Sequence, residues 1–374
     1  LIDLFGADRP TLENYFLELE DKPFRAVQLV KWIHQRGEYD FAKMSDFPKT
    51  LRTQLSNDEI FQLPQIEKVV IDYDGVVKWL FRLHDDNIIE TVFIPENNRG
   101  TLCISSQVGC YLDCRFCATA LQGFNRNLAS AEIIAQVWLA RQQLSEISAT
   151  EEWKNKRWND LPLSSKVTNV VLMGMGEPLL NVKQVMPAVR LMLDDNAYGL
   201  SKRKVTISTA GIAPMMSSLP QECEASLALS LHSAIDSVRD ILVPLNKKYD
   251  IKTLMSACWD YIKAHNHRRH ILFEYVMLKG VNDDDKHVRA LIRLLGDFPA
   301  KINLIPFNPY PKLPYQCSSM KTIHRFQDQL KKRDINTTIR KTRGNQIQAA
   351  CGQLSGEVQD RTNRLTRLKT IEFA

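Results

Sequence analysis

Cys110-Tyr111-Leu112-Asp113-Cys114-Arg115-Phe116-Cys117 puts three thiols within eight residues, at the spacing C-x3-C-x2-C. The segment follows an apolar run, Thr101–Ser105, that reads as a strand, so the loop is expected at that strand's C-terminal end. Three thiolates this close suit three irons of a [4Fe–4S] cube, which leaves the fourth iron open to a substrate or cofactor. Structural zinc is a competing reading. Zinc takes four ligands, usually in two separated pairs, and Cys103 or His84 would have to complete the set. A ferredoxin-like electron carrier is a third reading, although such proteins usually supply four cysteines.

Working outward, the chain alternates strand and helix. Strands are expected at Thr101–Ser105, Val167–Met173, Lys204–Ser208, Ser226–His232, Ile271–Met277, Ile302–Pro306 and Ile335–Arg340. Helices are expected at Ala131–Ile147, Val182–Leu193, Ser237–Val243, Ile251–His265, Asp283–Leu295 and Ile323–Lys332. Repeated units of this kind predict an α/β fold with a parallel sheet, a partial or complete β/α barrel whose chemistry sits at the strand C-termini. Upstream, Pro10–Leu19 and Ala26–Gly37 read as helices, and Ile66–Tyr73, Val76–Leu83 and Ile88–Ile94 as a small β-meander turning at Asp74-Gly75. The expected organisation is a helical module at 1–60, a meander at 61–95, the barrel at 96–343 and an irregular tail at 344–374. Leu144–Ser165, polar and carrying Trp153 and Trp158, reads as a surface insertion.

A second element bears on the cysteine loop. Val170-Val171-Leu172-Met173-Gly174-Met175-Gly176-Glu177-Pro178 is an apolar strand ending in a glycine-rich turn with one carboxylate. Glycines let backbone approach a ligand closely, and Glu177 can bind an ammonium group. Together the two segments resemble the radical S-adenosylmethionine (SAM) superfamily, with Phe116-Cys117 as its aromatic–cysteine hallmark. Cys110 to Asn127, Gly174 to Leu180, Leu304 to Pro309 and Arg340 to Leu354 resemble, more closely, the bacterial dual-specificity RNA adenine-C2 methyltransferases, and that resemblance spans nearly the whole chain.

The resemblance implies a radical-SAM partial barrel with Cys110, Cys114 and Cys117 holding a [4Fe–4S] cluster. It implies that the open iron chelates the methionine part of SAM, with Phe116 near the adenine and Gly176 and Glu177 at the amino group. Ser208, Ser230, Leu231, His232 and Asn308, at strand ends on the same rim, would complete the SAM contacts; loop capping is the plain alternative for Ser208 and His232.

The same resemblance gives roles to two cysteines outside the cluster. Adenine C2 is electron-poor and a weak nucleophile, whereas a thiolate accepts a methyl group readily. Cys351 would take a methyl from one SAM. A radical made from a second SAM would activate that methyl, which would then add to C2. Cys103 would form a disulfide with Cys351 and release the product. Glu90, in Ile89-Glu90-Thr91-Val92, is the candidate base for the C2 proton, against the alternative of a solvent-facing strand glutamate. From the residues alone, Cys103 and Cys351 also read as buried free thiols. Cys223, Cys258 and Cys317 have no assigned role.

Composition fits this picture. The 374 residues are 44% hydrophobic and 25% charged, which excludes a mainly disordered chain. No run of eighteen apolar residues is present, so no membrane span is expected. The opening residues show no basic segment followed by an apolar one, and no signal peptide is expected. Eight cysteines in so long a chain, three of them clustered, point to metal or thiol chemistry in a reducing compartment. The net charge of +6 leans toward polyanions, and Lys202–Lys204, Arg268-Arg269, Lys331–Arg333, Arg340–Arg343 and Arg361–Lys369 could meet phosphates. The target base would have to leave its stack. The resemblance implies 23S ribosomal RNA and transfer RNA as substrates, an electron donor such as flavodoxin or ferredoxin, a monomer and a cytoplasmic location. Two alternatives stay open: the related adenine-C8 methyltransferase of ribosomal RNA, and a non-catalytic zinc-stabilised RNA-binding protein.

Overall fold

The computed structural model describes residues 2–158, 161–311, 313–344, 346–350, 352–354, 356 and 361–362. Among the described residues, ten strands form one sheet whose spatial order is the chain order. They are β1 (Gln65–Ile71), β2 (Val77–Arg82), β3 (Ile88–Pro95), β4 (Gly100–Cys103), β5 (Asn169–Leu172), β6 (Val205–Thr209), β7 (Ser226–Ser230), β8 (Ile271–Met277), β9 (Ala300–Pro306) and β10 (Asn336–Ile339). From β4 to β10 every neighbouring pair is parallel. This is the expected partial barrel, with crossover helices such as Val182–Leu193, Ile251–Ala264 and Asp285–Leu295 between strands. Strands buried on both faces explain the near-continuous apolar runs, such as Ile271-Leu272-Phe273 in β8.

The meander is joined to this barrel. β1, β2 and β3 pair antiparallel, and β3 pairs antiparallel with β4, so the sheet continues without a break. The tail then crosses the open side. Arg340, Lys341, Thr342 and Arg343 line the barrel lumen, and Arg343 is buried against the β1–β2 turn. Its Nε donates to Asp74 Oδ2 at 2.8 Å, and its Nη1 donates to the Pro95 carbonyl at 3.0 Å.

Two sequence expectations need correction. Helix Ala213–Glu222, between β6 and β7, was not expected, because Pro214 and Pro220 argue against it. Pro214 stands in the first turn, where proline is tolerated. Leu144–Ser165 is only partly a surface insertion: helix Ser130–Ala149 runs through its start, and Leu144 and Trp153 are buried. The N-terminal helices, Arg9–Glu18, Phe24–Val30 and Lys49–Asp58, pack directly onto the barrel. Phe5, Phe16, Leu29 and Ile33 belong to the same apolar core as the barrel, and Trp138 Nε1 donates to the Ile33 carbonyl at 2.7 Å. Among the described residues, no helix is long and apolar enough to cross a membrane.

Candidate active site

The strand ends of a parallel barrel share one rim, and the functional side chains gather there. Between β4 and helix Ser130–Ala149 the chain forms a hairpin, Gln107–Gly109 with Phe124–Asn127, whose connection is the cysteine loop. That loop is tied to the barrel: Arg115 N–H donates to the Leu242 carbonyl at 3.0 Å. The hairpin gave no clear strand signal because its strands are three and four residues long.

Cys110, Cys114 and Cys117 line one wall of a cavity, with Phe116 beside them. Facing them are Gly174, Gly176 and Glu177 after β5, Ser208 in β6, Ser230 in β7, His232 just after it, and Asn308 after β9. The glycine turn needs its glycines. Gly176 has φ +100°, and a Cβ there would lie 2.5 Å from Gln107 Cβ; one on Gly174 would lie 2.6 Å from the Ile104 carbonyl oxygen. Side-chain acceptors tie the turn to the segment that leads into the cysteine loop: Met175 N–H donates to Ser105 Oγ at 3.0 Å, and Glu177 N–H to Gln107 Oε1 at 2.9 Å.

The electrostatics follow from burial. Glu177 is buried and its pKa is pushed up to about 7 by desolvation, while the Ala210 and Leu179 N–H groups, donating at 2.7 and 3.0 Å, pull the other way. Burial also raises the Cys114 thiol well above its ordinary range, and charge on Cys110 and Cys117 raises it further. His232 is held neutral, with burial lowering its pKa to about 3. Its Nδ1 accepts from Val276 N–H at 3.1 Å, and its ring meets Phe116 edge-on at 4.5 Å.

The fate of each expected residue can be stated. The three cluster cysteines, Phe116, Gly176, Glu177, Ser208, Ser230, His232 and Asn308 all border the cavity. Leu231 does not: its side chain is fully buried in the core, its N–H donates to the Glu274 carbonyl, and its carbonyl accepts from Arg239 Nε at 3.0 Å. Cys103 and Glu90 are buried on the barrel-facing side of β4 and β3. The solvent-facing alternative for Glu90 is therefore wrong. It is 3% exposed and accepts from Lys78 Nζ at 3.1 Å. Cys351 lies outside the described residues. Its described neighbour Ala350 lines the lumen, while Gly352 lines the cysteine cavity and its carbonyl accepts from Ala118 N–H at 2.7 Å.

Two site residues escaped sequence reading. Glu274, a lone carboxylate inside apolar β8, stands between cavity and lumen, 3.5 Å from Ser208 Oγ and 3.7 Å from Arg340 Nη1. A charge inside so apolar a strand was the available signal. Arg239 is wholly buried and grips the Ala210, Ser230 and Leu231 carbonyls under the cysteine loop. It gave no sequence signal. The basic clusters also divide unexpectedly. Lys202–Lys204, Arg268-Arg269 and Lys331–Arg333 precede β6, β8 and β10, so they sit at the barrel end opposite the cavity.

The donor set fits an iron–sulfur cube. Three thiols line one wall of the cavity, where charge on Cys110 and Cys117 disfavours ionisation of Cys114, so bound cations must offset that charge. Among the described residues, no three His, Cys, Asp or Glu converge as ligands of one ion. A cube places no such demand, since each thiolate binds a different iron. A cysteine loop after the first parallel strand, facing a Gly-Glu turn after the second, is the arrangement of the radical SAM superfamily. The family model described as the Radical SAM superfamily matches residues 104–292.

Residues 2–60 match a second model, the ribosomal RNA large subunit methyltransferase N-terminal domain. The chain is 51% identical over 372 residues to the dual-specificity RNA methyltransferase RlmN of Alkalilimnicola ehrlichii, covering 100% of this chain and 99% of that protein. The crystal structure of a radical SAM methyltransferase from Sphaerobacter thermophilus superposes with a TM-score of 0.83 at 36% identity, over 95% of this chain and 99% of that one. The chain belongs to the RlmN family of radical SAM RNA methyltransferases. Its cofactors are a [4Fe–4S] cluster and SAM.

Proposed function

We propose that this enzyme methylates C2 of adenine in 23S ribosomal RNA and in transfer RNA, by way of a methyl group carried on Cys351. The observation that carries this reading is the meeting of three elements at one rim: the cysteine loop, the Gly176-Glu177 turn and the tail residue Gly352. Bound together, a reduced cluster and SAM supply a carbon radical. Cys110, Cys114 and Cys117 would hold the cluster, and Gly176, Glu177, Ser208, Ser230, His232 and Asn308 would hold SAM. Ionised Glu177 would face the amino group, and neutral His232 would fix Phe116 at the adenine. Cys351 would accept the methyl on sulfur, Glu90 would take the C2 proton, and Cys103 would close a disulfide with Cys351 to free the base.

Residues 1–60 serve, on this reading, as an RNA-docking module fused to the barrel by a shared core, and Arg340 to Arg343 place cations in the lumen. The clusters at the opposite barrel end do not support contacts to a base in the cavity. The enzyme would act in the cytoplasm as a monomer, reduced by a flavodoxin or ferredoxin.

The test is a pair of variants. Cys103→Ala should accumulate a covalent protein–RNA adduct without releasing product. Cys351→Ala should form neither adduct nor product. Full methylation by Cys351→Ala, read by mass spectrometry of the nucleosides, would refute the protein-carried methyl.

A further inference from the structure

Lys78 stands on β2 with its side chain almost fully enclosed, 11% exposed, and its Nζ lies 3.1 Å from Glu90 Oε1. Burying an ammonium is costly, and an apolar side chain would fill a strand position at lower cost. Its neighbours give it a use. Strand register places Lys78 opposite Val92, and Val92 opposite Cys103. Leu80 lies opposite Glu90 on the same face. Side chains directly opposite in antiparallel pairs project to the same side. Lys78, Glu90 and Cys103 therefore share one face across β2, β3 and β4. Ile94 and Thr101, paired on that same face, line the lumen, so this is the inner face of the barrel.

We propose that Lys78 is a positioning residue for methyl transfer: its ammonium holds the Glu90 carboxylate ionised on the inner face and favours the thiolate of Cys103. The proposal rests on the roles given above to Glu90 and Cys103. A base that takes a proton must start ionised, and an enclosed carboxylate without a cation tends to stay protonated. A thiol that attacks a disulfide-forming sulfur must do so as thiolate. One cation in this row serves both ends. Other described charges share the lumen: Glu96, Arg99 and Lys341 line it, and Arg340 lies 3.7 Å from Glu274. Lys68, across from Leu80 on β1, is exposed, and Arg82 donates to Glu67 at 2.9 Å. Asp74 and Arg343 bind each other at the far end of the strands.

The experiment measures alkylation of Cys103 by iodoacetamide in the full-length, cluster-loaded protein across pH, with the site resolved by peptide mass spectrometry. It needs no RNA turnover, so its failure is separable from failure of the proposed reaction. Lys78→Met should slow alkylation at neutral pH, roughly tenfold for each unit by which the thiol's pKa rises. Glu90→Gln, which leaves the ammonium alone, should speed it. Lys78→Arg should restore the wild-type profile. A merely structural pair would loosen the edge in either variant and speed alkylation in both. That result, or no change in Lys78→Met, overturns the proposal. Should Lys78→Met not fold, Lys78→Gln takes its place: slower labelling at neutral pH supports the proposal, and unchanged or faster labelling overturns it. In the RNA reaction, Lys78→Met should keep SAM cleavage, lose product formation and regain it as Lys78→Arg.

Discussion

The two halves of the sheet differ in direction, and the difference divides the chemistry. From β4 to β10 the strands are parallel, so their C-terminal ends meet at one rim and contribute short polar groups: Glu177, Ser208, Ser230, His232 and Asn308. The β1–β3 edge is antiparallel, so it contributes strand interiors instead: Lys78 and Glu90, beside Cys103 on β4. Parallel topology suits binding by loops over a rim, whereas the antiparallel edge holds side chains rigidly along one face. On our reading the first half binds the cofactors and the second moves the proton and the methyl group. The tail joins the two, leaving the lumen beside β10 and returning past the cysteine loop.

The division can be broken by asking which losses travel together. The largest effect is expected from Cys114→Ala, which should reduce bound iron and SAM cleavage to background. Glu90→Gln should leave both intact while blocking product. Loss of iron in the Glu90 variant, by metal analysis after anaerobic purification, would erase the distinction between the halves. Next comes the anchor of the tail. Arg343 and Asp74 are each about 95% enclosed, and removing one partner of such a pair typically costs about 3–5 kcal/mol. Arg343→Met should lower stability by that amount in urea denaturation and uncouple SAM cleavage from methylation.

The smallest effect lies outside both halves, where the N-terminal helices dock. His34 is fully buried, its Nδ1 is 3.1 Å from Tyr198 Oη, and burial lowers its pKa to about 3. The unfolded chain takes up a proton near pH 6.5, the folded one does not, so stability is full above that pH and falls as the pH drops toward 3. By pH 5 the loss should be about 2 kcal/mol. His34→Phe should lessen the dependence of melting temperature on pH between 7 and 5, leaving the share that buried His232 contributes in the same direction. An unchanged slope would show that His34 is not the titrating group.

Much of this was legible beforehand. β8 matches its expected bounds, Ile271–Met277, because it is an almost unbroken apolar run, and helix Val182–Leu193 matches because its apolar residues recur at helical spacing. Elements rich in proline or only a few residues long were missed, as in helix Ala213–Glu222 and the hairpin that carries the cysteine loop, because local signals there are weak or contradictory. At the site, residues fixed by spacing were readable: Cys110, Cys114, Cys117, Gly176 and Glu177 stand in two short segments whose chemistry is local. Leu231 turns its side chain into the core, which strand-end position alone does not tell.

By itself, the sequence determined the cysteine loop, the glycine turn and the alternation of strand and helix, since each depends on residues adjacent in the chain. Only the tertiary structure decided that Lys78 meets Glu90, that Glu274 stands between cavity and lumen, that Arg239 braces the ends of β6 and β7, and that three basic clusters face away from the cavity. Those outcomes depend on register and strand direction. Pairing one residue further along would turn every side chain of β2 to the opposite face, so which side chains meet across β2, β3 and β4 is set only when the strands pair.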